Sequence, residues 1–314
     1  MNQRMKRLYL VAVTIAAAYA ASATAAKPIH RELDVAPGGT LVVDTVVGGI
    51  EVSTHGKDSV DIEVERKARH DDELEVDISK DDKAVKVIGQ WREKRSSRRS
   101  RVQYRIMLPK KFNVNLKTRG GSIEVTKLTG TTTARTSGGS LHFERIDGPI
   151  KANTSGGSIS LSDTTGDVDV NTSGGSINVG DVQGRIDVST SGGSIDIGKV
   201  TGSITAHTSG GSIHIDNAGG AVKARTSGGS IEAYISEQPH GDSELSTSGG
   251  SATVYLAKNI AVDLDARAGS GRVKSDFDVA VKTHSKHSLE GKINGGGPRL
   301  VVRASGGGVK IRRR

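Results

Sequence analysis

The chain contains no cysteine, which excludes disulfides, thiolate metal sites, a cysteine nucleophile and a lipidated N-terminal cysteine. Aromatic residues are almost as scarce, with three Phe, five Tyr and one Trp among 314 residues. An ordinary compact core draws much of its buried area from such side chains, and stacking platforms for sugars or single-stranded nucleic acid depend on them. Beyond the first 26 residues, no apolar run approaches the ~18 residues that a membrane-spanning helix requires.

Glycine is abundant instead, at 41 of 314 residues, nearly double its usual share of roughly 7%. The first residues have a different composition. Arg4, Lys6 and Arg7 precede an apolar run from Leu8 to Ala20, and Ala21 to Ala26 are all small. This pattern predicts a signal peptide over residues 1–26, cleaved after Ala25 or Ala26. The expected location is therefore outside the cytoplasm: periplasm, outer envelope surface or extracellular space. Removing three cations from a chain of net charge +9 leaves a mature net charge of +6.

A repeat dominates the middle. Thr136-Ser137-Gly138-Gly139-Ser140-Leu141 recurs from Thr154, Thr172, Thr190, Thr208 and Thr226. With Gly120, the first glycines fall at 138, 156, 174, 192, 210 and 228, a step of 18, and the next, Gly249, comes after 21. Gly306-Gly307 is a distant echo. Within a period, apolar positions alternate, as in Ile177 and Val179, then Ile186 and Val188, which indicates half-buried strands bounded by glycine. The same columns return in every period, for example Ile159, Ile177, Ile195 and Ile213.

The predicted fold is all-β: a β-solenoid of 18-residue coils, two short strands per coil, with irregular capping coils at both ends. A lone coil cannot bury enough surface to fold, so neighbours and caps are obligatory. The pairs Gly138-Gly139, Gly156-Gly157, Gly174-Gly175, Gly192-Gly193, Gly210-Gly211 and Gly228-Gly229 are predicted structural corners. They are expected to take positive φ and to let successive corners sit one above the other. Thr136, Thr154, Thr172, Thr190, Thr208 and Thr226 should form an inward ladder, their hydroxyls satisfied along the column. Around the regular solenoid at 119–258, residues 27–118 read as an N-terminal β region and cap, and 259–314 as C-terminal coils and cap.

Three stretches carry a family resemblance. Pro37 to Leu41 leads to Gly49-Ile50-Glu51-Val52. Tyr104 to Pro109 joins Gly121-Ser122-Ile123-Glu124-Val125. Leu289 to Gly297 ends in Gly308-Val309-Lys310-Ile311. In this order the chain resembles a bacterial family of unknown function described as candidate adhesins, of the head-GIN, autotransporter-adhesin-like type. The resemblance implies a right-handed β-solenoid, an envelope location and a binding or scaffolding role. Some relatives belong to envelope-stress systems. It implies no catalytic residues. This chain departs from it in the regularity of its array and in a basic insertion.

That insertion, residues 91–119, is the most informative local feature. It carries eleven cations against Glu93 alone. Arg92, Lys94, Arg95, Arg98, Arg99, Arg101, Arg105, Lys110 and Lys111 are the candidate polyanion-binding residues, with Lys117 and Arg119 completing the run. A concentrated positive field attracts polyanions. Outside the cytoplasm these are anionic lipid, lipopolysaccharide phosphates or acidic glycan, with an envelope protein as a further candidate partner. The alternative is a solvated loop without a partner. Nucleic acid is not an expected partner of an exported chain.

Other chemistry is weaker. Asp169 and Asp187 should be neighbours on one outer column, with Asp167 beside them, and β-helices that cleave polysaccharides use paired acids. The column reads Lys151, Asp169, Asp187, Thr205, Lys223, however, which is a mixed solvated surface. His284 and His287 have a ligand-like gap but no third partner. No catalytic residue, metal site or cofactor is predicted. The expected function is that of an exported, non-enzymatic binding or scaffold protein. A cell-envelope stress accessory and a polysaccharide-active β-helix are the alternatives.

Overall fold

The computed structural model describes residues 27–67, 73–92 and 101–314. The signal-peptide residues, and Lys94, Arg95, Arg98 and Arg99 of the basic insertion, lie outside the described residues. Thirty β-strands occur there and no α-helix. They form two 15-stranded sheets, and each regular coil contributes one strand to each sheet. Ile159–Thr165 belongs to the first sheet, Val168–Thr172 to the second, and Ile177–Val179 returns to the first. Ile159 is the register partner of Ile177, and Val168 that of Ile186. The 18-residue period is thus the register itself, and pairing is parallel throughout the array. One coil adds a third short strand, Val182–Gln183, to the first sheet.

The alternation in the sequence becomes the burial pattern. Ile123, Leu141, Ile159, Ile177, Ile195, Ile213 and Ile231 stack with at most 1% of each exposed. Across the interior, Leu116, Ala134, Ala152, Val170 and Val188 form a facing column, also buried. Small aliphatic side chains suffice because the two sheets lie close together, which explains a continuous core in a chain so poor in aromatics.

Both ends depart from the repeat in the same manner. Thr40–Thr45 and Gly49–His55 form a coil that pairs directly with the array at Asn113–Thr118 and Ile123–Thr126. Ala84–Trp91 and Val102–Pro109 stack outside it. At the other end, Arg299–Ala304 and Val309–Arg313 pair with Ser243–Thr247 and Ala252–Leu256, and the earlier Val262–Ala268 lies outside them. The distant Gly306-Gly307 therefore stacks directly on Gly249-Gly250. Antiparallel strands close both sheets at one end, with Leu74–Lys80, Ser59–Arg66 and Ile29–Asp34, and the second sheet at the other, with Ser288–Ile293 and Val279–His284, where the first sheet ends on the parallel Val273–Ser275. Ending a parallel stack with antiparallel strands blocks further stacking of coils.

One expectation is corrected and a second is made specific. None of the glycines from Gly138 to Gly229 in the predicted corners takes a left-handed φ. The corners need glycine because of stacking. A Cβ on Gly175 would lie 2.2 Å from the Gly157 carbonyl oxygen, and one on Gly193 would lie 2.3 Å from that of Gly175. The first glycine of each pair is looser, a Cβ on Gly138 meeting nothing nearer than 3.8 Å. The threonine column is buried as expected, but its hydroxyls do not bond to one another. Thr136, Thr154, Thr172, Thr190, Thr208 and Thr226 each donate to the carbonyl of a corner glycine 15 residues earlier, at 2.7–2.8 Å.

Candidate polyanion-binding surface

Val102–Pro109 lies in the first sheet and Asn113–Thr118 in the second, on opposite sides of the Thr40–His55 coil, so the charges of the basic run do not share one face. Arg105 lies on the outside of the first sheet. There it meets Glu65 at 3.0 Å, Glu51 at 3.6 Å and Glu63 at 3.7 Å. Its hydrogen bond to Glu65, then the three carboxylate charges, raise its pKa further above its ordinary value. Arg92 donates to Glu75 at 2.9 Å. The run opposes only one acid in sequence, but the fold brings several from other strands. Lys110 and Lys111 are exposed at the corner between the two sheets, and Arg101 is exposed next to the undescribed stretch. The single concentrated patch read from the sequence is thus divided among two faces and two corners.

Two of these cations, with one that the sequence reading passed over, do converge. On the second sheet Lys117 is the register partner of Arg135, and Arg119 follows at the Gly-Gly corner. Lys117 is held by Asp44 at 3.0 Å. Arg119 and Arg135 have no ion-pair partner among the described residues, and both are exposed. They stand at one end of a groove of about 780 Å³, which continues over Asn153, Asn171 and Ser189 on one side and Ser137, Ser155, Ser173 and Ser191 on the other. The groove runs across the strands because in-register stacking repeats the same side-chain position in every coil.

Its floor is stiff. Each corner serine N–H donates to the serine hydroxyl one coil earlier, for example Ser158 to Ser140 and Ser176 to Ser158, both at 3.3 Å. From Gly156 to Gly228, the first glycine N–H of each pair donates to the corner carbonyl below, as Gly174 does to Ser155 at 3.0 Å. The parallel ladder therefore continues through the corner. Ser189 also donates to Asn171 Oδ1.

The Asn153 position can be followed to the far end of the sheet. Asn153 pairs in register with Asn171, then come Ser189, His207, Arg225, Ser246, Arg303 and Arg267. None of these is buried. The last two belong to a cluster that sequence reasoning missed. Asp265, only 4% exposed, takes Arg299 Nη2 at 2.7 Å, Arg267 Nε at 2.9 Å and, more loosely, Arg303 Nη2 at 3.7 Å. Burial pushes the Asp265 carboxyl up, but the hydrogen bonds from Arg299 and Arg267 outweigh it, and the group sits below its usual range. One carboxylate thus orients three guanidiniums that remain about half exposed, leaving donors facing solvent. Val262–Ala268 and Arg299–Ala304 are far apart in sequence. The available signal was the matching alternation Asp263, Asp265, Arg267 against Arg299, Val301, Arg303.

The carboxylate pair is where the spacing placed it, Asp169 and Asp187 being register partners. Asp169 is paired with Lys151 at 3.1 Å and accepts from Asn171 at 3.0 Å. Asp187 is exposed, but partial desolvation on the sheet face, then the charge of Asp169, hold it above the usual carboxylate range. Asp167 is bound to Arg185 at 2.7 Å. On the first sheet, Tyr234 and Tyr255 stack at 4.2 Å with Arg314 over Tyr234, an aromatic pair not anticipated. The Tyr234 hydroxyl donates to Glu232 at 3.0 Å, and this bond, with burial, pushes it up to about 12. Among the described residues no group of three His, Asp or Glu side chains is arranged to hold a metal ion.

A family model described as Toastrack DUF4097 matches residues 41–312. No curated protein matches the sequence. Similar solved structures include a candidate adhesin from Parabacteroides merdae, at 13% identity over 91% of this chain and 96% of that one, with a TM-score of 0.40. A candidate adhesin from Bacteroides fragilis matches at 13% identity over 92% and 97%, with a TM-score of 0.36. A candidate lipid-binding protein from Parabacteroides distasonis matches at 15% identity over 91% and 97%, with a TM-score of 0.38.

Proposed function

Because the chain belongs to the Toastrack family, DUF4097, a family of solenoids, we propose that it is an exported, non-enzymatic scaffold of the bacterial envelope that binds an anionic envelope component through the outside of its second sheet. The leader-like composition of residues 1–26 supports export. The observation that carries the binding role is the groove at the Gly-Gly corner, where Arg119 and Arg135 are exposed without an ion-pair partner among the described residues while Lys117, Arg105 and Arg92 are engaged. Cations whose charge is already matched contribute little to attracting a ligand, whereas unmatched ones on a concave polar surface focus the field. Such a surface takes phosphate, sulfate or carboxylate groups of lipopolysaccharide, anionic lipid or acidic glycan, and Lys94, Arg95, Arg98 and Arg99 of the insertion, outside the described residues, are further contact candidates.

The test is binding of the full chain to immobilised polygalacturonate, to lipopolysaccharide and to phosphatidylglycerol vesicles at low and high salt. The expected result is retention on at least one of them at low salt that is lost at high salt. No retention at low salt, or retention indifferent to salt, would overturn the proposal.

One observation favours a second reading. Asp187, with its raised pKa, lies beside Asp169 in a depression of about 420 Å³, and paired acids held unequal by their surroundings are what acid–base cleavage of a glycan uses. The Lys151 and Asn171 contacts to Asp169 weigh against it. Release of new chain ends from polygalacturonate, abolished in Asp187→Asn, would establish it.

A further inference from the structure

We propose that the outside of the second sheet is a single lane for one linear acidic polysaccharide, lying across the coils and gripped at both ends. The inference rests on the anion-binding reading and adds the ligand's class, direction and length. Its basis is one register column. Arg135 stands at the first end, and Arg303 and Arg267 at the other, occupying the same strand position in successive coils. At ~4.8 Å per strand, Arg135 and Arg267 are about 38 Å apart. The positions between Arg135 and Arg303 are Asn153, Asn171, Ser189, His207, Arg225 and Ser246, and the Arg225 charge is matched by Glu244 at 2.7 Å.

Each end is built differently. At the first end Arg119 and Arg135 are unpaired among the described residues. At the other, buried Asp265 fixes three guanidiniums and neutralises only one of their charges, so the cluster keeps a net positive charge and outward-facing donors. Guanidiniums set by a carboxylate in this manner lose little freedom on binding a carboxylate or sulfate, and they match its geometry in bidentate fashion.

The middle of the lane selects the kind of polymer. Amide and hydroxyl groups repeating at the coil spacing suit a hydroxylated chain that also crosses the strands. A concave groove lined by no apolar residue offers little to acyl chains, and the lane has no Phe, Tyr or Trp on which a nucleic-acid base would stack, His207 being its one ring. Two anchors on one polymer act at high effective concentration once the polymer reaches both.

The test uses galacturonate oligomers of graded length, binding to the full chain at low salt. Affinity should stay weak and nearly flat for oligomers too short to span ~38 Å, then rise by roughly tenfold or more once both ends are reached. Arg119→Gln/Arg135→Gln and Arg267→Gln/Arg303→Gln should each remove that rise, returning long oligomers to short-oligomer affinity. All four side chains are exposed; a cooperative circular-dichroism melt will confirm that each variant folds, with Arg267→Gln/Arg303→Gln melting lower because buried Asp265 keeps only Arg299. Affinity independent of length, or a rise that survives Arg267→Gln/Arg303→Gln, would overturn the lane while leaving salt-dependent anion binding in place. Tighter binding to phosphatidylglycerol vesicles than to any oligomer, lost in the same variants, would reassign the surface to membrane and also overturn it. If no polyanion binds at low salt, the broader reading fails with it.

Discussion

Thr190 Oγ1 donates a 2.7 Å hydrogen bond to the carbonyl of Gly175, one coil earlier, and accepts a 3.4 Å one from the N–H of Gly193 in its own corner. The same two bonds recur at Thr136, Thr154, Thr208 and Thr226. A buried hydroxyl thus ties each corner to the one beneath it and satisfies a glycine carbonyl that would otherwise lack a donor. Thr190→Val keeps the shape and removes both bonds. It should destabilise the chain by about 1–3 kcal/mol, whereas Thr190→Ser, which keeps the hydroxyl, should cost about 1 kcal/mol or less. Urea unfolding of the three proteins checks the ranking. Equal stability of the valine variant and the parent would show that the bond contributes nothing.

The two glycines of one corner should respond unequally. A Cβ on Gly175 would meet the Gly157 carbonyl oxygen at 2.2 Å, backbone against backbone, while one on Gly174 would lie 3.3 Å from the Gly156 oxygen. Gly175→Ala must separate two coils and should cost about 3 kcal/mol or more. Gly174→Ala should stay within about 1 kcal/mol of the parent. Similar melting shifts for the two variants would contradict stacking as the reason for glycine.

Much of this architecture is legible in the sequence. Columns such as Ile177 and Ile195 declare both the strand alternation and the coil length, because a residue buried in one coil is buried in the next. The reason for the glycines was not legible. A Gly-Gly pair reads equally as a left-handed turn or as a close approach, and only the stacked carbonyls decide between them. Charge was legible only as composition. Arg105 looks unopposed until Glu51, Glu63 and Glu65 arrive from two other strands. The cluster at Asp265 depends on Arg299 and Arg303 entering the stack beside a strand that precedes them by a whole antiparallel hairpin. That order of strands departs from the 18-residue rule, so the spacing gave no sign of it.

Register makes a sharper prediction about deletions. Removing residues 173–190 takes out one whole period and returns every side chain to its column. That protein should fold cooperatively, with a melting temperature within roughly 5 °C of the parent. Removing residues 173–189 shifts the remainder by one position, and in a strand a one-residue slip turns the buried face outward. The second deletion should show no cooperative melt by circular dichroism. Two folded proteins, or two unfolded ones, would count against in-register stacking.

Asp187 supplies a pH dependence. Partial desolvation and the neighbouring Asp169 charge raise its pKa in the folded chain above the unfolded value. The folded state therefore takes up the proton first on acidification. The stability linked to this group is fully present below the unfolded pKa and is lost as pH rises through the raised folded value. Asp187→Asn removes that loss. The variant should melt higher than the parent at pH 7, with the gap closing as the pH falls below about 4. A variant less stable at pH 7, or a gap that widens in acid, would contradict the assignment.

The stack itself is tested most directly by distance. The chain has no cysteine, so nitroxide labels can be placed cleanly at Arg135→Cys in combination with His207→Cys, Arg225→Cys or Arg303→Cys, and measured by double electron–electron resonance. These partners lie four, five and seven strands along one register column. At ~4.8 Å per strand the separations should centre near ~19, ~24 and ~34 Å, rising in proportion to strand number. Distances that fail to rise with strand number, or that place Arg303 nearer to Arg135 than Arg225 is, would contradict a single parallel stack.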